Sequence, residues 1–213
     1  MKIFSPALSR LARFRYWHIE HWVNNPIAAQ REVLQDLITH GQYTQFGRKY
    51  QFDNIFNIRT FKQTVPIHEY HDMKPYIDQV MEGEDSVLWN TPVKWFAKSS
   101  GTTSEKSKFI PLTEESIQDN HFQGSKDVLA LYYKAMPDSD LLTGKGLIIG
   151  GSHQVHPIKE DIQYGDLSAV LLQNAPFWAG LIRTPELSIA LMDEWEAKIE
   201  SLAQSTIEED VTS

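Results

Sequence analysis

The chain contains no cysteine. That removes a disulfide framework and a thiolate zinc site together. It also has no long apolar run, and no stretch approaches the ~20 residues that a membrane-spanning helix needs. Positive charge is in deficit: 20 lysines and arginines face 28 aspartates and glutamates, giving a formal net charge of −8 and a sequence pI near 5.5. An acidic balance without a basic stripe argues against nucleic acid and against an anionic membrane surface as partners. The N-terminus has basic residues but no continuous apolar segment after them, so no signal peptide is expected, and the expected setting is cytoplasmic. The eight histidines form no His-x-x-x-His pair. His18 and His21, and His68 and His71, stand three apart with no carboxylates in a ligand pattern, so no metal site is expected. Internal repeats and low-complexity tracts are missing too. What remains is the composition of a globular chain of one to one and a half domains.

The most informative stretch is Ser99-Ser100-Gly101-Thr102-Thr103-Ser104-Glu105-Lys106-Ser107-Lys108. It follows the apolar run Val93-Lys94-Trp95-Phe96-Ala97 and precedes Phe109-Ile110-Pro111-Leu112. The expectation is a short buried strand, a small hydroxyl-rich loop, and a second short strand. Gly101 permits a sharp backbone path. Small residues on either side let backbone N–H groups converge on an anion, and Lys108 can add a point charge to a phosphate. The Walker A spacing is absent. From these residues alone, a solvated Ser/Thr turn between two strands fits equally well.

Elsewhere the chain reads as a scaffold. Residues 6–23 place Leu8, Leu11 and Trp22 on one helical stripe. A basic amphipathic membrane anchor would show such a stripe, but the polar face also holds His18, Glu20 and His21, which favours a helix packed on a core. Asn25 and Pro26 mark the start of a second helix, with Gly41 as a left-handed stop. A short helix is expected over 58–65, and another opened by Pro75 and ended by Gly83. A long helix should run from Thr113 to about Met136. The run Gly146-Leu147-Ile148-Ile149-Gly150-Gly151 suits a strand covered on both faces, and Gly150-Gly151-Ser152-His153 after it is a second possible ligand-facing loop, although its composition favours a strand-ending turn. Asp166 should cap a helix over 167–173. Thr184-Pro185-Glu186 should open one last helix whose core stripe is Leu187, Leu191, Trp195, Ile199 and Leu202.

The central loop resembles the first phosphate-binding signature of adenylate-forming enzymes, and with its flanks it resembles the GH3 family of acyl acid–amido synthetases and their bacterial relatives. Val87-Leu88-Trp89, Val93 to Lys98, Gly144-Lys145-Gly146-Leu147 and Trp195-Glu196-Ala197-Lys198-Ile199-Glu200 carry that resemblance over nearly the whole chain. Glu105 departs from it, since plant members usually have Gly there. The resemblance implies an α/β fold, in which an N-terminal helical layer (about 1–86) precedes a phosphate-loop segment (about 87–213) with strands of a mostly parallel sheet and flanking helices. It implies ATP and Mg²⁺ as cofactors, with Ser99, Ser100, Gly101, Thr102 and Thr103 binding the β- and γ-phosphates and Lys108 steadying the polyphosphate as pyrophosphate leaves. The partners implied are a carboxylic acid, activated to an acyl-adenylate, and an amine acceptor such as an amino acid. Family members also have an adenine-binding Ser-Glu and a ribose-binding Gly-Asp. Gly165-Asp166 lies too near the phosphate loop to be the latter. The expectation is therefore the N-terminal portion of such an enzyme, inactive alone and prone to self-associate. A non-catalytic remnant or binding module, or part of an acyl-CoA-forming ligase, are the alternatives.

Overall fold

The computed structural model describes residues 4–99, 107–150 and 155–213. They form two compact units, 20–114 with 157–164, and 1–19 with 115–156 and 165–213. The architecture is α/β, helical at the N-terminal end and strand-bearing after it.

The first helix, α1 (Phe4–Asn24), is followed at once by α2 (Pro26–Gly41) with Pro26 in the first turn. Asn25 occupies the cap position, but its side chain turns back and donates to the His21 carbonyl at 3.0 Å. Gly41 is not a left-handed stop, because α2 ends through Gln42 in right-handed geometry. Its missing side chain serves packing instead: a Cβ there would meet the Phe52 ring at 3.1 Å. Thr44 caps α3 (Gln45–Lys49), its buried hydroxyl accepting from the Gly47 N–H at 2.9 Å and donating to the Gly41 carbonyl at 2.7 Å. At Gly47 a Cβ would lie 2.0 Å from the Gly41 oxygen, so only glycine fits this crossing. The first amides of α3 have no partner within the helix, and Gln45 and Phe46 donate theirs to the Ser86 and Val87 carbonyls.

Asn57 caps α4 (Ile58–Thr64) by accepting from the Arg59 and Thr60 amides. The next helix, α5 (Tyr70–Met81), starts earlier than Pro75 suggests. Asp72 accepts from the Glu69 N–H at 2.9 Å and fixes the start there, which leaves Pro75 inside the helix at the cost of one backbone bond. Gly83, with φ +87°, follows its end.

Two short strands come next, β1 (Trp95–Lys98) and β2 (Phe109–Leu112), paired antiparallel with Lys98 opposite Phe109. After β2 the chain is helical through a π-helical segment (Ser116–Phe122) and α6 (Gln123–Ala135), and the helix stops just before Pro137 as expected. Strand β3 (Gly146–Leu147) is short, while β4 (His156–Lys159) and β5 (Ile162–Gly165) complete a four-stranded sheet in the order β2-β1-β5-β4. Its core is Ile77, Val80, Val87, Phe96 and Ile162. Alternation sends Phe96 inward, where it is wholly buried.

In the other unit, Asp166 precedes α7 (Leu167–Gln173) in extended geometry without a side-chain capping bond. A 3₁₀ turn (Phe177–Leu181) leads to β6 (Arg183–Thr184), which pairs in parallel with β3. The expected last helix is two: α8 (Leu187–Ala190) and α9 (Trp195–Thr206). The break rotates the expected stripe away from the core, leaving Trp195 and Ile199 exposed and burying Lys198 completely, its Nζ 3.4 Å from the Gly150 carbonyl. Arg15 and Asp127 join α1 to α6 through two hydrogen bonds, one of 3.1 Å, within this unit. Among the described residues no helix is long and apolar enough to cross a membrane.

Candidate functional site

The hairpin of β1 and β2 sets the site. Its neck is the pair Ser99 and Lys108: the Ser99 N–H donates to the Lys108 carbonyl at 2.9 Å. The return bond is unusual, since the Lys108 N–H goes to the Ser99 side-chain oxygen at 3.1 Å. The ladder therefore ends through a hydroxyl. Accepting one bond leaves that hydroxyl its own hydrogen to donate. Ser99 and Lys108 are thus brought together, flanking the chain between them. Ser100, Gly101, Thr102 and Thr103 lie outside the described residues, as do Gly151, Ser152 and His153.

Beside the neck lies a cleft of about 1090 Å³ whose lining includes Tyr70, Lys74, Lys98, Ser107 and Lys108. Lys108 holds its ammonium 5.6 Å from the centre of the Tyr70 ring. Tyr70 opens α5, and its phenol bonds both backbone groups of Phe109, accepting from the N–H at 2.9 Å and donating to the carbonyl at 3.3 Å. One side chain therefore fixes the strand that follows the loop and packs on the lysine beside it. On the other side of the neck Lys98 lies 5.8 Å from the centre of the Tyr164 ring, and Tyr164 meets Phe109 edge-on at 5.2 Å. Lys74 is paired with Asp78 at 2.6 Å, and that bond raises its pKa above the usual lysine value.

A polyphosphate fits this donor set. Ammonium groups border the cleft on both sides of the hairpin neck, and charge-assisted N–H donors are what phosphate oxygens bind most strongly. A dedicated Mg²⁺ cage does not fit, because among the described residues no group of three or more histidines or carboxylates converges. Magnesium in nucleotide sites takes one or two carboxylates and completes its shell with phosphate oxygens and water. The sequence pointed to Ser99 and Lys108 but not to Tyr70, Lys98 or Tyr164. Lys98 stands next to the motif and could have been found there. Tyr70 is 39 residues from its partner Phe109 and has no local signal.

The chain is similar to several plant enzymes. The chain is 31% identical over 135 residues to an indole-3-acetic acid-amido synthetase of Arabidopsis thaliana, covering 61% of this chain and 23% of that protein. It is 28% identical over 149 residues to a jasmonoyl-L-amino acid synthetase of Nicotiana attenuata, covering 70% of this chain and 25% of that protein. These plant matches give no support to a specifically bacterial resemblance. The chain spans about a quarter of the length of such relatives. The solved structure of the GH3.15 acyl acid amido synthetase superposes with a TM-score of 0.63 at 23% identity, covering 76% of this chain and 28% of that one, a likeness of fold. Residues 15–213 match the GH3 family N-terminal domain, and on that extent the chain belongs to the GH3 family.

Proposed function

We propose that this chain is the N-terminal, phosphate-binding portion of an ATP-dependent acyl acid–amido synthetase. The observation that carries the reading is the Ser99–Lys108 neck, where both ends of the motif are hydrogen-bonded to each other and Lys108 lines a cleft with other lysines. ATP supplies the adenylyl group that converts a carboxylate into an acyl-adenylate, with pyrophosphate as leaving group. The chain's own part is positioning and charge stabilisation, not covalent catalysis. Backbone amides of residues 100–103 bind phosphate oxygens, and the Lys108 ammonium offsets the negative charge that grows on the departing pyrophosphate. No general base is needed, because a carboxylic acid is already ionised at neutral pH. The names of the relatives support an amide product and an amino-acid acceptor. A GH3.15 structure described as a complex with 2,4-DB supports a small carboxylic acid as the other substrate. The setting we propose is cytoplasmic.

Acid-dependent ATP–pyrophosphate exchange tests the reading, run on the full-length protein with a panel that includes indole-3-acetic and jasmonic acids. Lys108→Ala should slow adenylation by about 10²-fold, as removing one stabilising donor does, with a smaller change in ATP affinity. Lys106→Ala is the control and should be mild. Exchange with no acid in the panel, or a Lys108→Ala variant of wild-type rate, would overturn the assignment.

A further inference from the structure

We infer that a cleft bordered by Arg183 and Glu186 binds a small aliphatic zwitterion, a molecule carrying one carboxylate and one ammonium. The inference is independent of the phosphate reading, and this cleft shares no lining residue with the one beside the hairpin.

The cleft lies wholly within the unit formed by 1–19, 115–156 and 165–213. It measures about 500 Å³, within the ordinary range for a small-molecule site. Strand β6 and the start of α8 supply one part of its wall, and the end of α9 with the residues just after it supplies another.

Two opposite charges border it without being used. Arg183 is half-buried, yet among the described residues its guanidinium has no ion pair, side-chain hydrogen bond or ring contact. Drawing a guanidinium partly out of water is costly unless a partner replaces the water. Glu186 borders the same cleft, and among the described residues its carboxylate pairs neither with Arg183 nor with any other cation. The remaining two charges are spent on each other, Lys145 on Glu209. Thr184 adds a polar group. It is 3% exposed, and among the described residues its hydroxyl makes no hydrogen bond. Trp89 Nε1 is the only side-chain polar atom among the described residues that is both sealed and unpartnered, so the Thr184 hydroxyl meets open space.

The charges decide the ligand class. A lone anion would be drawn by Arg183 and repelled by Glu186, and a lone cation the reverse. A molecule with both charges satisfies both residues, its carboxylate on the Arg183 fork and its ammonium on Glu186. Leu187 and Ile189, half-buried at the cleft, offer apolar surface to an aliphatic body. L-Leucine has all three parts and serves as the probe.

Calorimetric titration of the 213-residue chain with L-leucine tests the inference. Leucine should bind. Isocaproate, which lacks the ammonium, and isoamylamine, which lacks the carboxylate, should each bind at least about tenfold more weakly, the effect of one lost charge-assisted contact. Arg183→Gln and Glu186→Gln should each weaken leucine binding by a similar factor. Arg183→Lys should recover only part of the loss, because the charge returns without the fork. Arg59→Gln, an exposed arginine on α4 in the unit that holds the hairpin, should change leucine binding less than about twofold. Inorganic tripolyphosphate, the probe of the hairpin cleft, should not compete with leucine. Failure of leucine to bind, equal binding of either one-charge analogue, or wild-type affinity in Arg183→Gln or Glu186→Gln would overturn the inference. So would competition by tripolyphosphate, which would move leucine to the hairpin. The analogue series is read on the unaltered chain, so it decides even where a substitution disturbs folding. The phosphate reading stands or falls separately, on pyrophosphate exchange.

Discussion

Strands β1 and β3 each begin in an apolar run, and their surroundings differ. Phe96 in β1 has no exposed surface, whereas Leu147 in β3 keeps 40% of its own and Ile149, just beyond, keeps 48%. Strand β1 is covered by Ile77 and Val80 from α5, a helix of the same unit, and it pairs with β2 across one short loop. Strand β3 finds its parallel partner β6 only 37 residues later along the register. A run of apolar residues thus states a demand for cover. It does not state that the chain meets the demand locally.

Phe96→Ala should have the largest effect, a loss of about 3–5 kcal/mol in a denaturant titration, as expected for a large core side chain. Leu147→Ala should cost well under half of that. Equal losses would erase the distinction between the two strands.

Tyr70→Phe should cost about 1–2 kcal/mol, since it leaves two backbone groups of Phe109 without their partner. If that substitution also weakens tripolyphosphate binding, the hairpin neck depends on α5 for its geometry.

A smaller effect should appear in the other unit on acidification. The Arg15 guanidinium holds the Asp127 carboxyl below the usual carboxylate range, with burial opposing and Gln123 assisting. A depressed folded pKa means that stability is fully present above the unfolded value of about 4 and is lost as pH falls through the folded one. The gap in melting temperature between wild type and Asp127→Asn should therefore be widest near neutrality and close below about pH 4. A gap that stays constant down to pH 3 would show that the pair contributes nothing specific.

Trp195→Gln should change stability least, within about 0.5 kcal/mol, because the side chain is 56% exposed. Its effect should lie in association. Exposed Trp195 and Ile199 sit four residues apart on one helix face and favour contact between copies. Sedimentation should show self-association of the wild-type chain, reduced in the variant. A monomer at all concentrations would remove the basis for it.

Local chemistry accounts for what could be read in advance. Pro26 and Pro137 act within a few residues of themselves, and the helix boundaries they mark agree with the structure. The two strands around the hydroxyl loop were visible for the same reason, each an apolar run bounded by small or charged residues. Pro75 misled because a proline can start a helix or interrupt one, and the Glu69–Asp72 bond decided between them. The division between α8 and α9 was hidden by a stripe that satisfies helical periodicity across the break. Lys198 could not have been placed inside, because a lysine on a helix reads as solvated until its neighbours are known. At the site, Ser99 and Lys108 were legible as motif residues. Tyr70 was not, since its role exists only once α5 has docked beside β2.

That docking also settles how far the four-stranded sheet can grow. Strand β2 lies at one border of the order β2-β1-β5-β4, where an unpaired backbone invites a further strand from any passing chain. At Phe109 both backbone groups that such a strand would need are occupied by one phenol. Tyr70 thus acts as a full stop on that border, blocking strand addition beside the loop without lengthening the sheet. Augmentation at this rung by an extended peptide would first have to displace the tyrosine and loosen the segment that presents Lys108.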